Sequence, residues 1–324
     1  MAEEQTGTLR VLVLGTGSIA ETTCEALTEI DAAELVGMVS PRGEVSYDDC
    51  DVVAVCTPNG LHVEHALAAV AAGKHVVVEK PLTLDIASGQ RLLDAAAEAG
   101  VTVSVVSQRR WEPEMVAAKE AVESGVLGQP LLGECLMRWR RKPDYYTERP
   151  WRGSSVLDGG VLFNQGIHLI DLLRWLLGPV ETVDGAIATR VHAIESPDTA
   201  TALLRFVNGA QGIVSATTAA DEAQPAELNL WFENGHIRVA DDGLLAWQVP
   251  GVEQPRPEEP AESGSGDPAA IGAVGHRRQW AAILDALLSG AEPQVSGRDG
   301  LGTAALVAAI HESSRYGRVT PTLP

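Results

Sequence analysis

The sequence predicts an α/β protein in which a doubly wound parallel sheet is followed by an α+β domain with one open, mostly antiparallel sheet. Short apolar runs alternate with amphipathic helical segments through the first 110 residues, which is typical of parallel strands with helices on both faces. A glycine-rich turn joins the first run to the first helix. Beyond about residue 130 the predicted strands lengthen, and hairpin-type dipeptides follow at Asn208-Gly209 and Asn234-Gly235.

The N-terminal elements follow from this alternation. The predicted strands are 9–14, 34–39, 51–56, 75–78 and 101–106, and the predicted helices are 21–30, 61–72 and 86–99. The link between the second and third strands is too short and too polar for the helix that a parallel crossover usually contains. We therefore expect either a lost crossover helix or an extended link there.

The C-terminal elements do not show the regular alternation of short strands and helices. The predicted strands are 131–140, 180–191, 200–206 and 210–216, and the predicted helices are 159–178, 277–288 and 302–316. Residues 250–270 are rich in Pro, Glu, Gly and Ser, which predicts a surface loop. We place the domain boundary between 1–110 and 111–324, with the last helices free to pack back on the first domain.

Composition narrows the possible partners. The formal net charge of −20 argues against nucleic-acid binding, because so acidic a chain repels phosphate backbones. The polar, acidic N-terminus is not typical of a signal peptide, and no apolar run reaches the length of a membrane span. The cysteines form no CxxC pair and lack zinc-ligand spacing, so we expect reduced thiols in a cytoplasmic protein and no metal site.

The glycine-rich turn is the first candidate site. GTGSIA fits the pattern GxGxxA, follows a strand and opens a helix, which is the context of a Rossmann dinucleotide-binding turn. Gly15 permits the tight turn, Gly17 lets the backbone approach a pyrophosphate, and Ala20 keeps helix and strand close. Thr16, Ser18 and Ile19 complete the predicted cofactor contact.

The end of the second strand bears on the choice of cofactor. NAD sites commonly place an acidic residue there to hold the ribose hydroxyls. This chain instead has Ser40, Pro41 and Arg42, and an arginine can pair with the 2′-phosphate of NADP. We therefore predict an NAD(P) site that favours NADP, with a solvated loop arginine as the alternative for Arg42.

Two segments carry candidate catalytic groups. Glu79, Lys80 and Pro81 follow an apolar strand, and ligands of open α/β sheets bind beyond the carboxyl ends of the strands. Lys80 is therefore predicted to reach the nicotinamide and a reacting hydroxyl, with a surface ion pair to Glu79 as the alternative. Gln108 and Arg110, just after another strand, are candidates for contact with the cofactor and the substrate respectively.

The second segment is GGVLFNQGIHLIDLLRWLLG, residues 159–178. Asn164, His168, Asp171 and Trp175 recur at helical spacing on an otherwise apolar helix, so they share one face. A histidine with a pKa near neutrality is suited to proton transfer with a hydroxyl. His168 is thus a candidate acid or base, and a satisfied core histidine is the alternative.

These segments, with TPNGLHVEHALAAVAAGKHVVVEKPL and ALLRFVNGAQGIVSA, resemble the Gfo/Idh/MocA family of glucose–fructose oxidoreductases and inositol dehydrogenases over essentially the whole chain. The resemblance implies a Rossmann domain and an α+β domain whose large sheet forms a homodimer or homotetramer contact. It also implies NAD(P)-dependent hydride transfer at a carbinol or keto carbon of a sugar, nucleotide sugar or cyclitol. A non-catalytic dinucleotide-binding regulatory protein and an NAD-assisted lyase or glycosidase remain the alternatives.

The resemblance also implies roles for single residues. The family's lysine falls on Lys80, and its Asp-then-His pattern falls on Asn164 and His168. Asparagine orients a hydroxyl but accepts no proton, so the acid–base role concentrates on Lys80 and His168. The loop on the nicotinamide side corresponds to Thr57, Pro58, Asn59 and His62.

The segment 140–153 is basic and aromatic in an otherwise acidic chain. It predicts a lid or substrate contact that would suit a carboxylate or phosphate, and an interface loop is an equal alternative. The residues concerned are Arg141, Lys142, Tyr145, Tyr146, Trp151 and Arg152, of which Tyr145, Trp151 and Arg152 are the predicted substrate contacts.

Overall fold

The computed structural model describes residues 7–256 and 272–321. The chain divides into two compact units. Unit 1 holds the residues up to Gln108 and the segment Gly272–Ala304, and unit 2 holds Arg109–Ile271 and Ala305–Leu323. The chain therefore enters unit 2 after Gln108, where the sequence predicted residue 110, and it later returns to unit 1.

Unit 1 contains the predicted parallel sheet. Five strands pair in the order β2-β1-β3-β4-β5, all parallel, with helices in the connections. The strands are β1 (Leu9–Leu14), β2 (Ala33–Val39), β3 (Val52–Val55), β4 (His75–Val78) and β5 (Val103–Val105). The helices are α1 (Ser18–Thr28), α2 (His62–Ala71) and α3 (Ile86–Ala99).

The link between β2 and β3 contains no helix. Every residue of 40–51 is described, and the segment consists of turns and extended chain, so the predicted loss of the crossover helix is confirmed. β2 is the edge strand of the sheet, and Val36 and Met38 on it remain exposed. The missing helix leaves this end of the sheet open.

Unit 1 is completed by α7 (Val274–Ser289), which comes from far along the chain. Trp280, Ile283 and Leu284 of α7 share one buried cluster with residues of β1 and α1. Gln279 accepts a hydrogen bond from the Ser107 amide at 2.8 Å and donates one to the Val105 carbonyl at 2.8 Å. The carboxyl end of β5 is thus held by α7.

Unit 2 is built on a seven-stranded sheet in the order β12-β11-β10-β6-β9-β8-β7. All neighbours are antiparallel except β6 and β9, which agrees with the predicted open, mostly antiparallel sheet. The strands are β6 (Pro130–Arg138), β7 (Val180–Ala188), β8 (Thr199–Phe206), β9 (Gln211–Thr217), β10 (Glu227–Phe232), β11 (Gly235–Ala240) and β12 (Gly243–Gln248).

One face of this sheet is covered by α6 (Ile167–Leu177). Gly133 of β6 permits the close approach, because a Cβ there would lie 2.4 Å from the Leu173 side chain. The remaining helices of unit 2 are α4 (Pro113–Glu123) and the short α5 (Pro143–Thr147). The last helix, α8 (Gly297–Tyr316), begins in unit 1 and ends in unit 2.

Three sequence expectations have structural outcomes outside the sheets. The four cysteines are free thiols. Among the described residues, no helix has the length and apolarity of a membrane span, and no cluster of side chains could hold a metal ion. The loop predicted at 250–270 lies mostly outside the described residues.

Candidate active site

The glycine turn after β1 has room only for glycine at its first position. Gly15 has φ +142°, and a Cβ there would lie 2.4 Å from the Cys56 carbonyl oxygen. Its amide donates to the Val39 carbonyl at 2.9 Å, which ties the carboxyl ends of β1 and β2 together. The turn therefore sits where the strand order reverses between β1 and β3.

The second glycine leaves an open cradle at the start of α1. Gly17 is the N-cap, supplies no side-chain cap, and would have nothing within 4 Å of an added Cβ. Ala20 is fully buried against the sheet. Backbone amides at a helix N-terminus favour an anion, so these residues fit the pyrophosphate of a dinucleotide, with Thr16, Ser18 and Ile19 around it.

His62 supports two loops at the carboxyl ends of β3 and β4. Its ring is 1% exposed, with Nε2 2.8 Å from the Thr57 carbonyl oxygen and Nδ1 2.6 Å from the Pro81 carbonyl oxygen. Burial lowers the pKa of His62, and the two carbonyls oppose this by favouring a ring that donates from both nitrogens. Both ring nitrogens lie within hydrogen-bond distance of backbone carbonyls, so His62 holds the two loops together, and its contact with the cofactor stays a prediction.

Glu79 has a similar supporting task. It is 4% exposed, and its Oε1 lies 3.4 Å from Nε2 of the buried His276 on α7. Burial raises its pKa, but the hydrogen bond and charge of His276 outweigh this, so the pKa of Glu79 lies below its ordinary value. Its Oε2 accepts from the Lys80 amide at 3.2 Å. These internal contacts fix the backbone of Lys80, and the contact of Glu79 with the cofactor stays a prediction.

Lys80 lies two residues after the end of β4 and is partly buried. The Lys80–Pro81 peptide bond is cis. Because all five strands are parallel, Lys80, Thr57 and Gly15 lie at the same edge of the sheet. Pro58 and Asn59 follow Thr57 at this edge, where Asn59 is buried. The structure thus brings the predicted lysine and the predicted cofactor turn to one edge of unit 1.

The remaining cofactor candidates of unit 1 differ in exposure. Gln108 is buried against Gly275, and its Oε1 has no hydrogen-bond partner among the described residues. Ser40 and Arg42 are exposed at the end of β2, with the Arg42 amide 3.3 Å from the Ser40 hydroxyl. The Arg42 side chain is thus accessible from solvent at the open end of the sheet.

In unit 2 the predicted helix at 159–178 begins with a π-helical turn, Leu162–Gly166, that runs directly into α6. Asn164 and His168 are the partly exposed residues in the buried run 161–173. The partial exposure of His168 favours the interpretation as a reactive group over that of a core histidine. Asn164 donates from Nδ2 to the buried carboxylate of Asp158, and π-helical turns recur at functional sites.

Arg110, a predicted substrate contact, forms a buried ion pair. Its Nε and Nη2 donate to the two carboxylate oxygens of Asp171 at 2.7 and 2.6 Å, and the side chain is 1% exposed. Its guanidinium also lies 5.3 Å from the Trp175 ring. The enclosed guanidinium supports the packing of α6, and its contact with a substrate stays a prediction. Asp171 and Trp175, predicted to share the polar stripe, are its partners.

The other predicted substrate contacts of unit 2 form one cluster. Tyr145 of α5 packs against the guanidinium groups of both Arg141 and Arg152, and Trp151 lies beside Arg152. Gln165 of the π-helical turn donates to the Tyr145 hydroxyl at 3.3 Å. Sequence reasoning missed Gln165 and Asp158, because only the fold brings them to this cluster.

Comparison with known proteins identifies the family. The model of the GFO/IDH/MocA C-terminal domain matches residues 115–238, and that of the oxidoreductase family with an NAD-binding Rossmann fold matches residues 44–107. The WlbA dehydrogenase of Bordetella pertussis, solved with NADH and UDP-GlcNAcA, is 30% identical with a TM-score of 0.87, over 98% of this chain and 99% of that one. The chain belongs to the GFO/IDH/MocA oxidoreductase family. The resemblance drawn from the motifs is thereby confirmed.

Other relatives support the assignment. The D-apiose dehydrogenase of Paraburkholderia graminis is 28% identical, over 94% of this chain and 88% of its own length. The myo-inositol 2-dehydrogenase of Thermotoga maritima is 28% identical, over 71% and 74%. This member of the family is thus a nicotinamide-dependent oxidoreductase.

Proposed function

We propose that this protein transfers a hydride between a nicotinamide cofactor and a carbinol or keto carbon of a sugar, nucleotide sugar or cyclitol. The observation that carries the proposal is the placement of Lys80 at the edge of the sheet that holds the glycine turn, with its backbone fixed by Glu79 and its neighbour Pro81 held by His62. The relatives named for D-apiose, myo-inositol and UDP-GlcNAcA support this class of substrate.

The chemistry divides between the cofactor and the chain. The nicotinamide, when bound, supplies or accepts the hydride. The Lys80 ammonium donates a hydrogen bond to the reacting oxygen, and His168 moves the proton to or from it. Asn164 orients the oxygen without exchanging a proton, because a side-chain amide does not titrate near neutral pH.

Replacing Lys80 tests this division. Lys80→Met should lower kcat by about 10²–10⁴-fold while the dissociation constant for NADH or NADPH changes little, since the lysine acts on the reacting oxygen. Turnover is measured on a panel of sugars, cyclitols and nucleotide sugars, and cofactor binding by nicotinamide fluorescence. Lys74→Met, just before β4, is the matched control. Wild-type turnover in Lys80→Met would overturn the role of Lys80, and cofactor binding without turnover by the wild type would favour the regulatory alternative.

We also propose that the cofactor is NADP(H), held at its 2′-phosphate by Arg42. Exposure of Arg42 at the open end of β2, with Ser40 beside it, supports this choice. Arg42→Ala should lower kcat/KM for NADP by about tenfold or more, equivalent to about 1.4 kcal/mol, and leave that for NAD unchanged. Arg91→Ala on α3 is the control. A wild-type enzyme that prefers NAD would contradict the proposal.

We propose further that the protein assembles as a homodimer or homotetramer through the uncovered face of the unit 2 sheet. Leu203 of β8 is 61% exposed on this face, and Ile213 of β9 is its cross-strand neighbour. The ring of Trp231 stacks on His236 farther along the sheet, with the centroids 4.8 Å apart. Burial of these exposed apolar side chains against a second copy of the chain would be favourable. Light scattering of the intact protein measures its mass in solution and so tests the assembly.

A further inference from the structure

We infer that unit 2 carries an anion subsite, built from Arg141, Tyr145 and Arg152, that binds a carboxylate on the substrate. This rests on the proposed function and deepens it, because it specifies a sugar acid as the substrate class. We call these three residues the anion subsite.

The two guanidinium groups of the anion subsite share one aromatic ring. Cζ of Arg152 lies 3.9 Å from the centroid of the Tyr145 ring, and Cζ of Arg141 lies 5.3 Å from the same centroid. Arg141 also lies 4.9 Å from the ring of Trp139, which follows β6. Planar guanidinium groups packed on rings are held in place without losing their donor edges, which suits bidentate recognition of a carboxylate.

The charges of this cluster favour an added anion. Arg141 is 4% exposed, and burial followed by the positive charge of Arg152 outweighs the neighbouring phenols, so the pKa of Arg141 lies below its ordinary value. Burial raises the pKa of both Tyr145 and Tyr146, the latter to about 12, so these phenols stay neutral at pH 7. Two cations held together in a partly dehydrated place are stabilised when an anion binds between them.

The surrounding residues do not occupy all of the hydrogen-bond donors of Arg152. Its Nη1 donates to the Tyr145 carbonyl at 2.9 Å and lies 3.9 Å from the largely exposed Glu148, a pair worth little in water. Its Nε is buried and has no hydrogen-bond partner within the described residues. Asp158, the nearby buried carboxylate, accepts from the Gly153 amide at 2.7 Å and from Asn164.

The anion subsite belongs to the same framework as the proposed reacting groups of unit 2. Gln165, which bonds Tyr145, is the chain neighbour of Asn164 in the π-helical turn. The loop after Arg152 is pinned, because Gly153 has φ +78° and a Cβ there would lie 2.5 Å from Ile194. One substrate can therefore present its hydroxyl to Asn164 and His168 and its carboxylate to the anion subsite.

A carboxylate fits this place better than a phosphate. The rings of Trp139, Tyr145 and Trp151 surround the guanidinium groups. A singly charged, planar carboxylate loses less hydration among these rings than a phosphate that carries nearly two charges. The subsite thus favours a uronic acid over a sugar phosphate.

Paired ligands separate these sources of negative charge. UDP-glucuronate and UDP-glucose differ only in the carboxylate, and glucose 6-phosphate and glucose differ only in the phosphate. Calorimetric titration of the cofactor-loaded protein should show UDP-glucuronate binding at least tenfold more tightly than UDP-glucose. Arg152→Gln and Arg141→Gln should each remove that preference by weakening the binding of UDP-glucuronate more than that of UDP-glucose. Arg149→Gln, an exposed arginine of the same segment, should retain it.

Each outcome of these titrations either supports the anion subsite or overturns it. Absence of a preference for UDP-glucuronate in the wild type, or its retention in both arginine variants, would overturn the anion subsite. A preference for glucose 6-phosphate over glucose without one for the carboxylate would overturn the choice of anion. Arg152→Lys, which keeps the charge but loses the planar fork, should retain only part of the preference and shows that loss in Arg152→Gln is not a folding defect.

Failure of the subsite and failure of the proposed function give different results. If the subsite alone is wrong, Lys80→Met still loses turnover while UDP-glucuronate and UDP-glucose bind equally. If the proposed function is wrong, UDP-glucuronate binds preferentially and the wild type oxidises none of the panel. Lys80→Met should keep the binding preference, because Lys80 belongs to unit 1 and the anion subsite to unit 2.

Discussion

The buried charges of Arg110 and Asp171 are tolerated because the two residues pair with one another. Arg110 and Asp171 satisfy one another through two hydrogen bonds at 2.7 and 2.6 Å, with both side chains nearly inaccessible. Removing one partner leaves the other charged and buried, whereas removing both leaves an apolar contact. The pair is therefore expected to be strongly coupled.

A double-mutant cycle tests this coupling. Arg110→Met and Asp171→Leu should each lower the free energy of unfolding by about 3–5 kcal/mol, because each leaves an uncompensated buried charge. The double variant should be destabilised less than either single variant. Urea unfolding of the four proteins measures the effect, and a double variant destabilised by the sum of the singles would show that the two residues act independently.

The sequence predicted the positions of the candidate-site residues, but their side-chain contacts are visible only in the structure. Lys80, Glu79 and His62 all lie near the predicted edge of the sheet, because strand order and motif spacing determine that edge. The partner of the Glu79 side chain is His276 of α7, which lies far along the chain. Glu79, His62 and Arg110 look like ligands in the sequence, and in the structure each has internal partners that support neighbouring elements.

At the scale of elements, helical spacing predicted the segment at 159–178 but not its π-helical turn. An apolar stripe with a period of three or four residues is compatible with either kind of turn, so only the packed structure separates them. The turn places Phe163 against His311 of α8, with the ring centroids 5.3 Å apart. This contact between elements of unit 2 has a consequence for acid stability.

Burial, with a smaller contribution from Arg315, lowers the pKa of His311 from 6.5 to about 4. Between these values the unfolded chain binds a proton that the folded protein does not, so stability falls as the pH drops from 7 towards 4. His311→Gln removes this contribution. The free energy of unfolding of the wild type relative to the variant should decrease by about 2–3 kcal/mol between pH 7 and pH 4.5.

Urea unfolding of both proteins at the two pH values gives this difference. Other histidines whose pKa is lowered by burial, such as His65 and His75, titrate in both proteins and cancel. An equal loss of stability in wild type and variant would mean that His311 does not remain neutral when folded.

At the scale of the whole molecule, the sequence predicted the two sheets and all five strands of unit 1, because local periodicity and turn residues encode them. It gave no range for β10, β11 or β12 of unit 2, although the dipeptide Asn234-Gly235 marked the turn between β10 and β11. It could not predict the discontinuity of unit 1, because periodicity says which face of α7 is apolar but not which sheet receives it. Trp280, Ile283 and Leu284 on that face join the core of β1 and α1. The N-terminal segment is therefore incomplete as a folding unit without the later segment Gly272–Ala304.

Two fragments test this dependence. Residues 1–108 alone should lack a cooperative thermal transition and should not bind NADH, because the core of β1 is uncovered and the end of β5 loses Gln279. Joining 272–304 to residue 108 through a short flexible linker should restore both, since Gln108 and Gly275 already lie in contact.

The fusion carries its own reporter, because Trp280 is the only tryptophan in 1–108 plus 272–304. Its emission should be that of a buried indole and should change with the cooperative transition seen by circular dichroism. Trp280→Ala in the fusion should lower the free energy of unfolding by about 3–5 kcal/mol, as expected when a large core side chain is removed. Cooperative unfolding and NADH binding by residues 1–108 alone would contradict the view that α7 completes unit 1.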